Sequence, residues 1–148
     1  MIRSWIYRRI RKWLSPFVLD ILNNEPRIIG PVNRLQVSDK AVSNNFLANT
    51  NSGNIVIRDH VFFGKDAALI TGSHDYSQFG EKRGREFPTS GRDIVIENGV
   101  WIGSRAIVLG PCVVGEDSVI AAGSVVTKDV PRRTIVAGIP ARKIRSID

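Results

Sequence analysis

The chain has 148 residues, a length that points to a single domain spanning 1–148. Its 43% hydrophobic share, only 7% aromatic, favours thin, regular β structure filled by Val, Ile, Ala and Gly over a bulky helical core. The lone cysteine excludes an internal disulfide and fits a reducing, cytoplasmic compartment, and the formal net charge of +7 calls for an anionic partner such as nucleic acid, anionic lipid or a phosphorylated ligand.

Residues 1–25 come first, and their spacing predicts an amphipathic helix. Ile2, Ile6, Ile10, Trp13, Phe17 and Ile21 fall near one face, while Arg3, Arg8, Arg9, Arg11 and Lys12 supply positive charge. Pro16 should kink it. Two roles are open: residues 1–22 lie on the inner face of a cytoplasmic membrane, or they cap the end of the fold behind them. Neither a secretory leader nor a membrane-spanning run of ~20 apolar residues is read here.

Residues 26–148 carry a period of six. A weak trio starts at Val37 (VSDKAV, SNNFLA, NTNSGN), and a clearer one at Ile57 (IRDHVF, FGKDAA, LITGSH). From Ile96 six units follow without a break: IENGVW, IGSRAI, VLGPCV, VGEDSV, IAAGSV, VTKDVP. First positions are branched and apolar; fifth positions are small. Such a period is neither helical nor that of a plain strand. It fits a short strand and a turn, three of which close one triangular coil of a parallel β-helix. Twelve units predict about four coils. Between the trios and the long run lies a polar loop, residues 75–93, and a basic tail, 131–148, ends the chain.

The motifs VWIG, AAGSVVTKDVP and AGIPA, in this order after TGSHDY, resemble the hexapeptide-repeat acyltransferases, most closely their sugar and polysaccharide O-acetyltransferase branch. The resemblance implies a left-handed β-helix, a homotrimer with active sites between subunits, acetyl-CoA as co-substrate without a metal, and a sugar or polysaccharide-precursor acceptor. It places the catalytic histidine at His74. The residue chemistry agrees: a neutral imidazole can take the proton of a hydroxyl as that oxygen attacks a thioester. The same base would serve an amine, so N-acetylation of an amino sugar is the alternative. A non-catalytic β-helical module is the third reading.

The same resemblance carries Thr127, Lys128, Arg142 and Arg145 onto positions that contact CoA, and Trp101, Ser104 and Ala122 onto the channel for its pantetheine arm. Phosphates suit the basic cluster, whereas the absence of interleaved aromatics argues against nucleic acid. Asp75, Arg83 and Arg85 are taken as acceptor contacts in the loop, with orientation of the His74 ring as a second role for Asp75. Two histidines in the chain are too few for the three-ligand zinc of β-helical carbonic anhydrases, so no metal is expected. His60 reads as a turn residue and Cys112 as core filler.

Overall fold

The computed structural model describes Arg9, Ile10, Lys12, Trp13 and residues 25–148. Most of the amphipathic segment expected over 1–22 therefore lies outside the described residues. The four described residues there are helical, and Ile10 and Trp13 are exposed.

The rest is a three-sided coil. The first face stacks β1 (Arg27–Ile29), β3 (Leu47–Asn49), β6 (Ala68–Ile70), β9 (Ile107–Leu109) and β12 (Val125–Val126). The second stacks β2 (Leu35–Val37), β4 (Ile55–Ile57), β7 (Ile94–Ile96) and β10 (Cys112–Val114). The third stacks β5 (Phe62–Phe63), β8 (Trp101–Ile102), β11 (Val119–Ile120), β13 (Thr134–Gly138) and β14 (Ala141–Ser146). Pairing is parallel except for β13–β14, an antiparallel hairpin. A short helix, α1 (Gly80–Arg85), sits in the loop.

The six-residue grammar is a burial rule. From Ile96 to Val130, every first and every fifth position is buried, Ile96 through Val126 and Val100 through Val130. Branched side chains fill the interior, and small ones sit where the chain bends. Ser118 and Ser124 are tolerated inside because each hydroxyl is used. Ser118 Oγ donates to Pro131 O at 2.7 Å, and Ser124 Oγ accepts the Gly138 N–H at 3.2 Å. Cys112 is likewise core: its thiol reaches Lys128 O at 3.3 Å, and burial, with Asp129 nearby, pushes its pKa up to about 12.

Two of the three prism edges turn by one device. The residue just before a fifth position is left-handed: His60, Gly99, Asp117 and Arg133 between second and third faces, and Asn45, Asp66, Arg105 and Gly123 between third and first. His60 is thus an exposed turn residue, as its place in the repeat implies. The edge from first to second face lacks this regularity. It carries residues 30–34, 50–54, 71–93 and 127–129; the first three depart from period six by insertion, and the last is shortened, since Val126 lies beside Val108 and Val130 beside Val114.

Two expectations shift. The stack has five turns rather than about four, because β1 and β13 occupy first- and third-face positions that the hexapeptide count omits. The tail from 131 forms β13 and β14 rather than a free end. In the weak trio the frame slips: Ala48, not Asn49, pairs with Leu69 and is buried. Asn49 faces outward because the corner before it is one residue short: Val42 bridges Phe62, yet Ala48 already lies beside Leu69.

The interior should therefore be sensitive where the outer surface is not. Ile102→Ala is expected to cost about 2–5 kcal/mol, while Val113→Ala on the half-exposed outer surface should stay below about 1 kcal/mol; denaturant unfolding of both variants measures the difference.

Candidate active site

β6 delivers His74 to the irregular edge. After Ile70 the chain turns out: the Thr71 N–H and its hydroxyl both donate to Asn49 O, at 3.0 and 2.8 Å. Gly72 then lies so close to Asn49 that a Cβ would sit 2.6 Å from its Oδ1, which selects glycine. Ser73 is half-buried and His74 exposed. Asn49 Oδ1 also accepts the Asn51 N–H at 3.1 Å, so both asparagines are fixed beside the histidine strand.

The loop then folds back over the ring. Asp75 caps a turn: its Oδ1 accepts from Ser77 N and Oγ at 2.9 and 2.6 Å, and its Oδ2 from Gln78 Nε2 at 3.2 Å. Those bonds, the Ser77 hydroxyl foremost, hold the carboxyl below the usual Asp range. Asp75 lines the cleft, but its carboxylate is engaged by the turn and not by the imidazole. Arg83 also serves the loop, donating to Gln78 O at 2.6 Å and Tyr76 O at 3.2 Å and stacking over Phe79. Arg85 pairs with Glu81 one helical turn away, both exposed.

After α1 the return strand brings Phe87 edge-on to His74, with ring centroids 6.1 Å apart at 72°. The imidazole thereby stands between two cavities. One, of about 240 Å³, is lined by Asn49, Asn51, Gly72 and Phe87. The other, of about 500 Å³, is lined by Asp75, Tyr76, Glu86, Phe87, Pro88 and Arg92. His74 and Ser73 border both. Asn49, Asn51, Phe87 and Arg92 are absent from the sequence-derived site. The asparagines leave a trace there, as polar breaks in an apolar repeat; Phe87 and Arg92 leave none.

The remaining candidates fall on other parts of the prism. Trp101 projects from the third face, stacked on Phe62 at 5.7 Å. Register places Phe62, Trp101, Val119, Ile135 and Arg145 in one outward column, and Arg142 pairs with outward Ala137. Ser104 and Ala122 lie on the edge where that face ends. Gly103 must be glycine, since a Cβ would fall 2.5 Å from Ala122 N. Thr127 and Lys128 are exposed on the irregular edge, two turns beyond His74. The third-face group and the His74 group are thus separated by the whole first face.

Residues 93–128 match the model of the bacterial transferase hexapeptide, six repeats. The galactoside O-acetyltransferase of Escherichia coli is 36% identical over 114 residues, which cover 72% of this chain and 54% of that protein. The chain belongs to the hexapeptide-repeat acetyltransferase family. An N-acetyltransferase of this family, the 2,3,4,5-tetrahydropyridine-2,6-dicarboxylate enzyme of Enterococcus faecalis, is 54% identical over 61 residues, 41% of this chain and 26% of its own length. The hexapeptide-repeat acetyltransferase of Vibrio cholerae, solved with acetyl coenzyme A, superposes with a TM-score of 0.63 at 28% identity, covering 87% of this chain and 73% of the other. The coil accordingly winds left-handed, as in those hexapeptide-repeat structures. The present hexapeptide-repeat chain spans about half the length, or less, of the curated relatives it matches.

Proposed function

We propose that the protein transfers an acetyl group from acetyl-CoA to a sugar hydroxyl, with His74 as general base. The observation that carries this is the imidazole held at the mouth of two cavities and flanked by Phe87 and the two asparagines. In the step proposed, His74 removes the hydroxyl proton as the oxygen attacks the thioester carbonyl. The tetrahedral oxyanion collapses, the C–S bond breaks, and the CoA thiolate leaves, taking the proton from the imidazolium. The sugar O-acetyltransferase relative, aligned over the larger part of the chain, favours a hydroxyl over an amine.

Charge supports a phosphorylated donor on the third face. Within the basic tail, Arg132 and Arg133 are already tied to Glu116 and Asp117, at 3.6 and 3.7 Å. Among the described residues, Lys128, Arg142 and Arg145 enter no ion pair; Arg142 and Arg145 are left to the pyrophosphate and 3′-phosphate of CoA on that face, and Lys128 would reach them from the irregular edge of a neighbouring subunit. Trp101, Ser104 and Ala122 would wall the pantetheine arm.

The separation of the two groups supports a homotrimer. One copy holds His74 on one edge and Ser104 and Ala122 on another, so a complete site needs the edge of one subunit against the face of the next. Cyclic symmetry makes three such clefts and covers the exposed apolar column Val42, Phe62 and Trp101. The helical Ile10 and Trp13, exposed within a basic segment, support contact with the inner face of the cytoplasmic membrane, where a lipid-linked acceptor would be met.

Three measurements test this. His74→Ala should lower turnover about 100-fold or more, read as thiol release from acetyl-CoA over a panel of galactosides, glucosides and amino sugars. Full turnover by the variant would end the general-base role, and transfer to amino sugars alone would replace the hydroxyl acceptor. Light scattering should give three chains per particle; an active monomer at micromolar concentration would remove the intersubunit site. Removing residues 1–22 should abolish co-sedimentation with phosphatidylglycerol vesicles while leaving transfer to a small soluble acceptor intact; collapse of the truncated chain without vesicle binding by the full one would assign the segment as a cap.

A further inference from the structure

We infer that Arg34 is a positioning residue for the acceptor site: from the first turn of the coil its guanidinium clamps the loop that carries Phe87 against the edge that carries Asn51. One terminal nitrogen of Arg34, half-buried, donates to three backbone carbonyls: Thr50 O at 3.3 Å, Asn51 O at 3.0 Å and Thr89 O at 2.9 Å. Donor and acceptors together span three successive parts of the irregular edge: Arg34 the first, Thr50 and Asn51 the second, Thr89 the third. Residues 30–34 form it in the first turn, 50–54 in the second, and Thr89 lies in the loop inserted into the third. The bond to Thr89 spans 55 residues and lands two positions from Phe87.

The loop needs such a hold. From Asp75 to Asp93 it runs outside the stacked strands, and α1 buries no residue. Its other described ties to the coil lie at the far end, where Arg92 Nε donates to Thr71 O at 2.7 Å and Arg92 N to Ser52 O at 3.2 Å. Among the described residues, the Arg34–Thr89 bond and the ring contact of Phe87 with His74 are what tie the stretch between Gln78 and Gly91 to the coil. Without it the return strand is fixed only beyond Phe87, and the wall between the two cavities is free to swing. Three carbonyls converge on one cationic nitrogen whose two hydrogens they must share, and the positive charge strengthens each of these bonds. Arg34 touches carbonyls and not the cavities themselves, so its effect on chemistry passes through Phe87 and Asn51.

The functional half of this inference rests on the acetyl-transfer reading, and the mechanical half does not. Limited trypsin digestion tests the clamp alone, because Lys82, Arg83 and Arg85 stand exposed in the loop. Arg34→Met should raise nicking at 82–85 about 10-fold or more, the effect of one lost charge-assisted bond on local opening, with the coil itself still protected. An unchanged rate would overturn the clamp, and so would nicking spread along the coil, which would make Arg34 a support of the whole fold. Arg34→Gln, neutral and too short to reach the loop, carries the same test if Arg34→Met fails to fold. With methyl β-galactoside as acceptor, Arg34→Met should raise the acceptor KM about 10-fold and leave the KM for acetyl-CoA within about twofold. Combined with Phe87→Ala it should add nothing further; additive losses would separate Arg34 from the Phe87 wall. If the native protein transfers no acetyl group, the acetyl-transfer reading fails and the digestion still decides the clamp.

Discussion

A parallel strand bonds to the strand above it only if both reach the same step of the coil, so each turn must come back into register with the last. In the regular part this return takes eighteen residues, as between Ile94 and Cys112 or Ile107 and Val125. The interior is then a single column of side chains, one or two per face and turn. It is filled by Ile, Val, Leu, small residues and, in the early turns, the stacked Phe46 and Phe63, and has no room for a polar site. Chemistry on this fold is forced outward, to the edges and to the outer surfaces of the faces.

The three edges are not equal in what they can carry. Two turn through a left-handed residue directly before a buried one, a corner too tight to accept extra chain. The third is looser and absorbs every insertion, from a few residues at 50–54 to the long excursion of 71–93. An insertion at an edge leaves the register of the faces intact: Leu69 still lies over Ala48 and under Val108 despite the loop that follows it. His74 sits at the start of that excursion, on a rigid strand end, facing a segment the coil does not constrain. Part of the site is therefore preorganised by β pairing, and part depends on side-chain bonds such as those of Arg34 and Arg92.

This division decides what could be read from the amino-acid sequence. The repeat from Ile96 to Val130 was legible because each first and fifth position answers to burial alone. Cys112 and Ser118 fit the same rule, since a small side chain is all the corner asks for. The early turns were not legible in frame. Once a corner loses a residue, the period of six breaks, and Ala48 takes the inward place that the count gives to Asn49. The site divides in the same way. His74 stands where the repeat stops, which the pattern marks, whereas Asn51, Phe87 and Arg34 are brought together by stacking turns and a returning loop. No local spacing encodes a bond across 55 residues.

Electrostatics adds a last constraint on the outer surfaces. Acidic groups in the regular edges are spent on neighbouring turns: Asp59 accepts from Ser38 and Lys40, Glu97 pairs with Arg58, and Glu116 and Asp117 answer Arg132 and Arg133. These exposed pairs contribute little stability each. Their larger consequence is spatial, because they neutralise the edge between second and third faces. The excess positive charge is left toward the C-terminal end, on Lys128, Arg142, Lys143 and Arg145. Arg145 shares a column with Trp101, so a polyanion drawn to that end meets an aromatic wall running back along the coil. A ligand with a phosphorylated head and a long neutral arm fits that gradient, whereas an extended polyanion would find positive charge at one end only.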